Sequence, residues 1–516
     1  MDDELQRGIL VIDYGSQTTL LIARRLREIG VYAEIWSCHD SRLALPPPAL
    51  GIILSGGPAS VCGETAPRLA ESVIACGRPV LGICYGMQLV VERLGGTVAP
   101  GAATEYGRVR VRQVDPGAAL FASRPADGSV VWMSHGDAAV TVPEPLAVTA
   151  RTENGAVAAV EARGRPLFGV QFHPEVTHTE HGREWLRRFA CDLCGAADAW
   201  SAANLIDEKV AAIAAAVGDD RAILAFSGGV DSTVAAALGS RAIGRRLVCI
   251  LVDNGLLRHG EADQVRRCFL DRFDVELRVV EAQQRFLDAL AGVGDPEAKR
   301  KAIGKTFIDV FEQEARRVEG ARFLVQGTLY PDVIESVSVR GPAAAIKSHH
   351  NVGGLPGQLP FALIEPLRNL FKDEVRQLGR SLGIPEALLG RHPFPGPGLA
   401  VRILGEVTAD KLAIARAADR IFIEMLREHG LYDQVWQALA VLLPVRTVGV
   451  MGDARTYDAV VALRAVTSLD GMTADRAGLP IAFLGAVADR IVNGVKGVSR
   501  VVYDLTSKPP ATIEWE

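Results

Sequence analysis

The chain lacks the features of a secreted, membrane-spanning or polyanion-binding protein. Hydrophobic residues make up 48% of its 516 positions, yet no uninterrupted apolar run reaches the ~18 residues expected of a membrane span. The N-terminus, Met1-Asp2-Asp3-Glu4, is acidic and without the basic-then-apolar pattern of a leader. Cysteine is sparse: eight residues, irregularly spaced, none after Cys268, which argues against a disulfide framework. Cys191-Asp192-Leu193-Cys194 has zinc-like spacing without a second pair, and His178 and His181 have no matching carboxylate cluster. Neither charge dominates, with 56 Lys and Arg against 61 Asp and Glu and a net charge of -5. That balance excludes a broad nucleic-acid surface. No internal repeat or low-complexity tract occurs. The expectation is a cytoplasmic protein that binds neither membrane nor nucleic acid.

What is present begins with length enough for about three domains at ~150 residues each. Residues 1–202 alternate short apolar strands with helical segments: strands at Gly8–Asp13, Gly51–Leu54 and Pro79–Ile83, and a helix at Thr19–Ile29. A wetter stretch punctuated by Pro and Gly follows, before a strand resumes at Leu167–Phe172. Residues 203–391 open on a helix at Ala203–Val217 and carry strands at Ala222–Phe226, Leu247–Val252 and Phe323–Gln326. Within them, Gly341 to Gly357 reads as a mobile loop around Lys347, His349 and His350. His392-Pro393-Phe394-Pro395-Gly396-Pro397-Gly398 is the strongest break and opens a third domain, 392–516. That domain has a helix near Ala409–His429 and strands at Thr447–Met451, Val460–Val466 and Ser499–Leu505.

A further absence is chemical. Ser227-Gly228-Gly229-Val230-Asp231-Ser232-Thr233 lies between the apolar run Ala222–Phe226 and a helical run, but no lysine precedes its Ser/Thr pair. It is therefore not a Walker A loop, and γ-phosphate transfer is not its natural reading. A glycine turn between strand and helix still offers backbone N–H groups and a positive helix end to an anion. Ser227, Ser232 and Thr233 add hydroxyl donors, and Asp231 can hold a Mg²⁺ that bridges phosphates. The run resembles the pyrophosphate loop of the N-type ATP pyrophosphatases, which implies cleavage of ATP between its α and β phosphates and adenylation of an oxygen.

Gly82-Ile83-Cys84-Tyr85-Gly86 follows another apolar strand and precedes a helical run. A glycine on either side of Cys84 permits the sharp strand-to-helix turn that lifts a nucleophile above a sheet. A thiol of pKa ~8.5 is mostly protonated at neutral pH, so activation must come from the helix N-terminus and an imidazole. His173, in Gln171-Phe172-His173-Pro174-Glu175, is the candidate imidazole, and Pro174 stiffens the link that aims Glu175 at it. A buried structural Cys84 is the alternative. The set resembles the Cys-His-Glu triad of class I glutamine amidotransferases. The resemblance implies that Cys84 attacks glutamine, His173 relays protons and Glu175 orients the imidazole. It also implies that the N–H groups of Gly57 and Tyr85 bind the oxyanion. Ser134-His135-Gly136-Asp137 resembles that family's turn near the glutaminase pocket and is given no chemical step.

The remaining motifs specify the acceptor. Gly327–Asp332, Ile346–Gly354, His392–Leu399, Gly449–Asp453 and Lys508–Glu516 resemble the glutamine-hydrolysing GMP synthases over essentially the whole chain. One small departure is Thr18 after Gly15-Ser16-Gln17, where an aromatic residue is usual. The implied fold is α/β. A class I amidotransferase domain is followed by an adenine-nucleotide α-hydrolase-like ATP pyrophosphatase domain with a parallel sheet, then by a small α+β dimerisation domain. The implied reaction aminates xanthosine 5′-monophosphate (XMP) to GMP, with glutamine and ATP as co-substrates, Mg²⁺ accompanying ATP, and a homodimer formed through the third domain. The resemblance gives Asp231 to Mg²⁺ and pyrophosphate, and Lys372 to charge developing on the phosphates. Asp253 and Gly327 join Ser227–Thr233 in binding ATP, and Arg300, Lys508 and Glu514 bind XMP. A helix-surface salt bridge is the competing reading of Lys372.

Overall fold

The structure is a computed structural model and describes residues 2–270, 272–337, 361–451, 454–468, 471 and 473–516. It divides into two compact units, the first comprising Met1–Asn204 and Pro331–His349, the second Leu205–Tyr330 and His350–Glu516.

The first unit is built on one nine-stranded sheet. Its strands are β1 (Ile9–Asp13), β2 (Ala33–Ser37), β3 (Gly51–Leu54), β4 (Val80–Ile83), β5 (Thr97–Gln113), β6 (Val130–Thr141), β7 (Leu146–Thr152), β8 (Val157–Ala162) and β9 (Leu167–Val170), in the order β2-β1-β3-β4-β9-β8-β7-β5-β6. The β2-to-β9 half is parallel. Its strands are short continuous apolar runs because helices cover both faces, and β3, β4 and β9 are buried at every position. The stretch expected to be irregular is instead the antiparallel half, β5 to β8. Pro100, the bulge between Pro100 and Glu105, and Gly107 at φ 84 interrupt β5, so the alternation of Val109 and Val111 with Arg108, Arg110 and Arg112 is visible only at its end.

The second unit carries two sheets. Five parallel strands, β10 (Arg221–Ala225), β11 (Leu247–Asp253), β12 (Glu276–Glu281), β13 (Ala321–Val325) and β14 (Ala362–Ile364), run in the order β12-β11-β10-β13-β14. The second sheet joins β15 (Gln437–Met451), β16 (Ala454–Thr467) and β17 (Asp475–Arg476), with β18 (Val498–Tyr503) beside β16. One apolar core is shared between the sheets: Ile223, Val248 and Phe286 belong to the same cluster as Phe422, Ala440 and Ile491. Cys249 is fully buried in β11, as a core residue should be. The loop 341–357 lies outside the described residues.

Candidate active site

Cys84 stands at the C-terminal end of β4, where the chain turns into the helix Tyr85–Arg93. Its φ of 51 is one of only two positive values at non-glycine positions among the described residues, a conformation that L-residues adopt at a cost. The surroundings enforce it. A Cβ on Gly82 would lie 2.5 Å from the carbonyl carbon of Gly86, and one on Gly86 would lie 2.6 Å from Leu54 Cβ. Both neighbours therefore have to be glycine, as packing and not flexibility requires. The N–H of Cys84 donates to Val170 O at 2.8 Å and that of Gly86 to Ser55 O at 3.1 Å. Of the elbow amides, that leaves the Tyr85 N–H for an oxyanion.

His173 and Glu175 arrive on the chain leaving β9. His173 Nδ1 and Glu175 Oε1 are 2.7 Å apart, and both residues are buried. Burial opposes a charged imidazole here, but the Glu175 carboxylate and hydrogen bonds to Cys84 and Glu175 outweigh it and raise the His173 pKa well above its ordinary value. The charged form of the ring is thereby favoured, paired with the Glu175 carboxylate. Thr179 Oγ1 donates to His173 O at 2.6 Å, Trp132 O accepts from His173 N at 3.0 Å, and Arg25 Nε donates to Glu175 O at 3.0 Å. The backbone of the triad is thus fixed from three sides. Gly57 closes the opposite wall: a Cβ there would lie 2.7 Å from Tyr14 O, while one on Gly56 would lie 3.1 Å from His173 Cε1 and 3.7 Å from Cys84 Cβ. The structure brings Cys84, His173, Glu175, Tyr85 and the Gly56-Gly57 turn together.

Ser134–Asp137 was assigned no chemical step, but Cys84 Sγ lies 3.7 Å from Ser134 O, and Gln88 Nε2 donates to Asp137 O at 2.9 Å. These residues lie within strand β6 and not in a turn; there, buried His135 faces its cross-strand partner, buried Glu105, at 3.6 Å, and burial lowers the His135 pKa. Position alone hid this pair, because Glu105 sits in the interrupted part of β5.

In the second unit, Ser227–Gly229 connects β10 to the helix Val230–Ile243. Gly228 has φ 72, and a Cβ there would meet Val265 at 2.6 Å. Ser232 and Thr233 hydroxyls bond Gly229 O at 3.1 and 2.8 Å, and Ser227 Oγ lies 3.1 Å from Ser232 Oγ. Lys372, the first residue of the helix Lys372–Ser381, reaches Asp231 Oδ2 at 2.5 Å across 141 residues of sequence. Their side chains keep 48% and 27% of their exposure, so the pair is open to solvent and to ligand. The other oxygen, Asp231 Oδ1, is buried with no hydrogen-bond partner. An orphaned anionic oxygen beside a phosphate-type loop suits a hard cation that takes its other ligands from phosphates and water. No trio of His, Cys, Asp or Glu placed to hold a metal occurs among the described residues. Gly327 lies against Asp231, where a Cβ would be 3.2 Å from its carbonyl carbon. Asp253, at the end of β11, accepts from Gly255 N and Gln283 Nε2 at 3.0 and 2.8 Å.

Arg300, Lys508 and Glu514 do not form one cluster. Arg300 Nη2 donates to Glu516 O at 2.6 Å, whereas Lys508 Nζ donates to Gly471 O at 2.7 Å. Glu514 is gripped by Arg402, with Nη2–Oε1 at 2.9 Å and Nε–Oε2 at 3.2 Å. Arg402 was not singled out in the sequence. Its one signal is a lone arginine inside the apolar run Leu399-Ala400-Val401-Arg402-Ile403-Leu404.

Comparison with known proteins adds the following. Residues 10–193 match the family described as glutamine amidotransferase class-I, and residues 424–515 match the GMP synthase C terminal domain. The chain is 54% identical over 513 residues to a GMP synthase (glutamine-hydrolyzing) of Aquifex aeolicus, covering 99% of this chain and 100% of that protein. It is 52% identical over 508 residues to a protein of the same description from Cytophaga hutchinsonii, covering 98% and 99%. A third, from Fusobacterium nucleatum, is 52% identical over 512 residues, covering 99% of each.

Proposed function

The chain belongs to the glutamine-hydrolysing GMP synthases, and from that premise we propose how its residues divide the work of glutamine- and ATP-dependent conversion of XMP to GMP. In the first half-reaction, Cys84 Sγ attacks the carboxamide carbon of glutamine. The oxyanion that forms faces the Gly57 and Tyr85 N–H groups. His173, held by Glu175 through Nδ1, gives a proton from Nε2 to the departing ammonia, then takes one from the water that releases glutamate. The observation that carries this reading is the buried His173–Glu175 hydrogen bond, set on the same side of Gly56 as Cys84 at a strained strand-to-helix turn.

In the second half-reaction, the C2 oxygen of xanthine attacks the α phosphorus of ATP and pyrophosphate leaves. Ammonia then attacks C2 and AMP departs with the oxygen. Ser227, Gly228, Gly229, Val230, Ser232 and Thr233 bind the phosphates, with Asp253 and Gly327 at the neighbouring strand ends. Asp231 would hold the Mg²⁺ that accompanies ATP, an ion that would supply charge neutralisation to the pyrophosphate. Lys372 offsets the charge that grows on the leaving pyrophosphate. Arg300 and Lys508 attract the monophosphate, and Glu514 accepts from the purine edge.

Residues 1–202 act as the amidotransferase domain, 203–391 as the adenylating domain and 392–516 as the domain that completes the acceptor site and joins two copies in a homodimer. An apolar stripe on one face of the β15–β16 pair supports the last assignment: Val448 and its cross-strand partner Tyr457 are 46% and 58% exposed, and Val450 is 77% exposed. A nucleophilic thiol that must stay reduced supports a cytoplasmic location. Incubation with ATP, Mg²⁺, glutamine and a panel of purine monophosphates, read by mass spectrometry, tests the whole scheme. GMP from XMP alone is expected, and amination of another purine in preference would overturn the acceptor assignment.

A further inference from the structure

Three of the largest fully buried side chains are cations, Lys299, Arg402 and Arg464, and all three end on the last residues of the chain. Arg464 donates to Ile513 O, Thr512 O and Thr506 O at 2.8 to 2.9 Å and to Asp504 Oδ2 at 2.7 Å. Lys299 donates to Ile403 O at 2.6 Å and pairs with the Glu516 carboxylate. These two satisfy mainly backbone carbonyls and simply anchor the segment. Arg402 is different, because its fork grips a side chain that is otherwise accessible.

Glu514 is 17% exposed, whereas Arg402 beneath it is wholly buried. On its far side Arg402 Nη1 donates to Asp419 Oδ1 at 3.0 Å, and Asp419 Oδ2 pairs with Arg258 Nε at 3.3 Å. The guanidinium groups of Arg258 and Arg402 both lie over Phe394, 4.8 and 4.9 Å from its ring centre. The four charges alternate in sign along the chain Arg258–Asp419–Arg402–Glu514 and sum to zero, which is how buried ions are tolerated. One end of this chain sits five residues beyond Asp253, at the nucleotide edge of the parallel sheet, and the other end is Glu514.

The donors around Glu514 can be counted. A carboxylate offers about four lone-pair directions. Oε1 accepts from Arg402 Nη2 at 2.9 Å and from Gln437 Nε2 at 2.5 Å, while among the described residues Oε2 accepts only from Arg402 Nε at 3.2 Å. One acceptor direction therefore remains on Oε2, on a carboxylate fixed in orientation by the guanidinium below it. A guanidinium has donors only and cannot itself read an N–H group.

We infer that Arg402 and Asp419 are positioning residues for amination, fixing the orientation of Glu514 as acceptor for a ring N–H of the purine substrate. This rests on the reading of Glu514 given under Proposed function. Arg402→Lys keeps the charge but gives up the fork. In steady-state GMP formation by the full-length enzyme, Arg402→Lys and Glu514→Gln are each expected to raise the KM for XMP about tenfold or more, with kcat and the KM for ATP changed far less. Tenfold corresponds to about 1.4 kcal/mol, the scale of one charge-assisted hydrogen bond. Because they act through one contact, the double variant should be little worse than either single one. Asp419→Asn, which leaves Glu514 untouched, should raise the same KM by a smaller factor.

An unchanged KM for XMP in Glu514→Gln would sink the acceptor reading itself. A raised KM in Glu514→Gln together with a parental KM in Arg402→Lys, or strictly multiplicative effects in the double variant, would overturn the positioning role alone. Should Arg402→Lys fail to fold, Asp419→Asn carries the decision, since a purely structural network predicts a lower melting temperature with no change in the KM for XMP.

Discussion

The two catalytic regions are built to opposite specifications. Around Cys84, an atom added at any of three glycines collides with backbone: Gly82, Gly86 and Gly57 each have a main-chain atom within 2.7 Å of where a Cβ would sit, and His173 and Glu175 are buried. Around Asp231 the packing is uneven, since Gly228 would meet only the Val265 side chain, at 2.6 Å. Gly229 would meet only Ser227 Oγ, at 3.3 Å, and Lys372 stays half exposed. The difference follows from the chemistry. A covalent nucleophile must be aligned before substrate arrives, because the protein supplies every reacting group but the amide and water. A phosphate site receives its largest charges with the ligand, so its protein groups need room to reorganise around them.

The sharpest way to separate the regions is Cys84→Ala. Glutamine-dependent GMP synthesis should fall by about 10⁴-fold or more, the scale seen when a triad nucleophile is lost. Synthesis from high external ammonia should persist, because nothing at Asp231 or Lys372 changes. Surviving glutamine use would make Cys84 a core cysteine. Glu175→Gln comes next, with a loss of about 10²- to 10⁴-fold in glutaminase turnover, and it also has a pH signature. The Glu175 charge holds the His173 pKa up, so the protonated, paired imidazole is favoured at neutral pH and is lost only as pH rises through the elevated folded-state value. Removing that charge should move the alkaline limb of glutaminase activity towards neutrality. A limb that stays put would deny Glu175 an electrostatic role.

On the open side, Asp231→Asn and Lys372→Met should each reduce AMP formation by about 10²-fold, while Cys84 chemistry survives. Their pairing at 2.5 Å also predicts non-additive effects in the double variant. AMP formation near the parental rate in Lys372→Met would restore the helix-surface salt bridge as the whole account of that lysine.

Both regions were legible in the sequence where their chemistry is local. The Cys84 elbow, the His173-Pro174-Glu175 step and the Ser227–Thr233 turn each fit within a few residues, because a strand-to-helix turn must place its nucleophile or its amides there. Lys372 was reachable only through family resemblance, since nothing in the spacing brings it to Asp231. Glu105 facing His135 and Arg402 gripping Glu514 were not legible at all. Each joins residues that are remote in sequence, and a buried arginine in an apolar run resembles an interrupted strand until its carboxylates are located. The antiparallel half of the first sheet was hidden for another reason: prolines, glycines and a bulge broke the period-two pattern on which strand recognition depends.

The smallest expected effect tests the contrast itself by making one substitution on both sides. Gly86→Ala puts a methyl group 2.6 Å from Leu54 Cβ and closer still to Leu54 O, against β3, a strand buried at every position. Neither atom is the end of a flexible side chain, so the elbow or β3 must shift, at about 1–3 kcal/mol for overpacking. Gly229→Ala enters a helix-capping position at φ -70 and ψ 164, which alanine adopts freely, and its one close neighbour is a rotatable hydroxyl. Its stability should change by only about 0.5 kcal/mol, and restriction of the unfolded chain could make the sign favourable. Thermal melting of the two variants without nucleotide reads this difference directly, and the KM for ATP reports whether phosphates need the space that the methyl group takes. Equal destabilisation by both substitutions would mean that the phosphate loop is as tightly packed as the elbow. In that case the openness of the Lys372–Asp231 pair would belong to those two side chains and not to the loop that holds them.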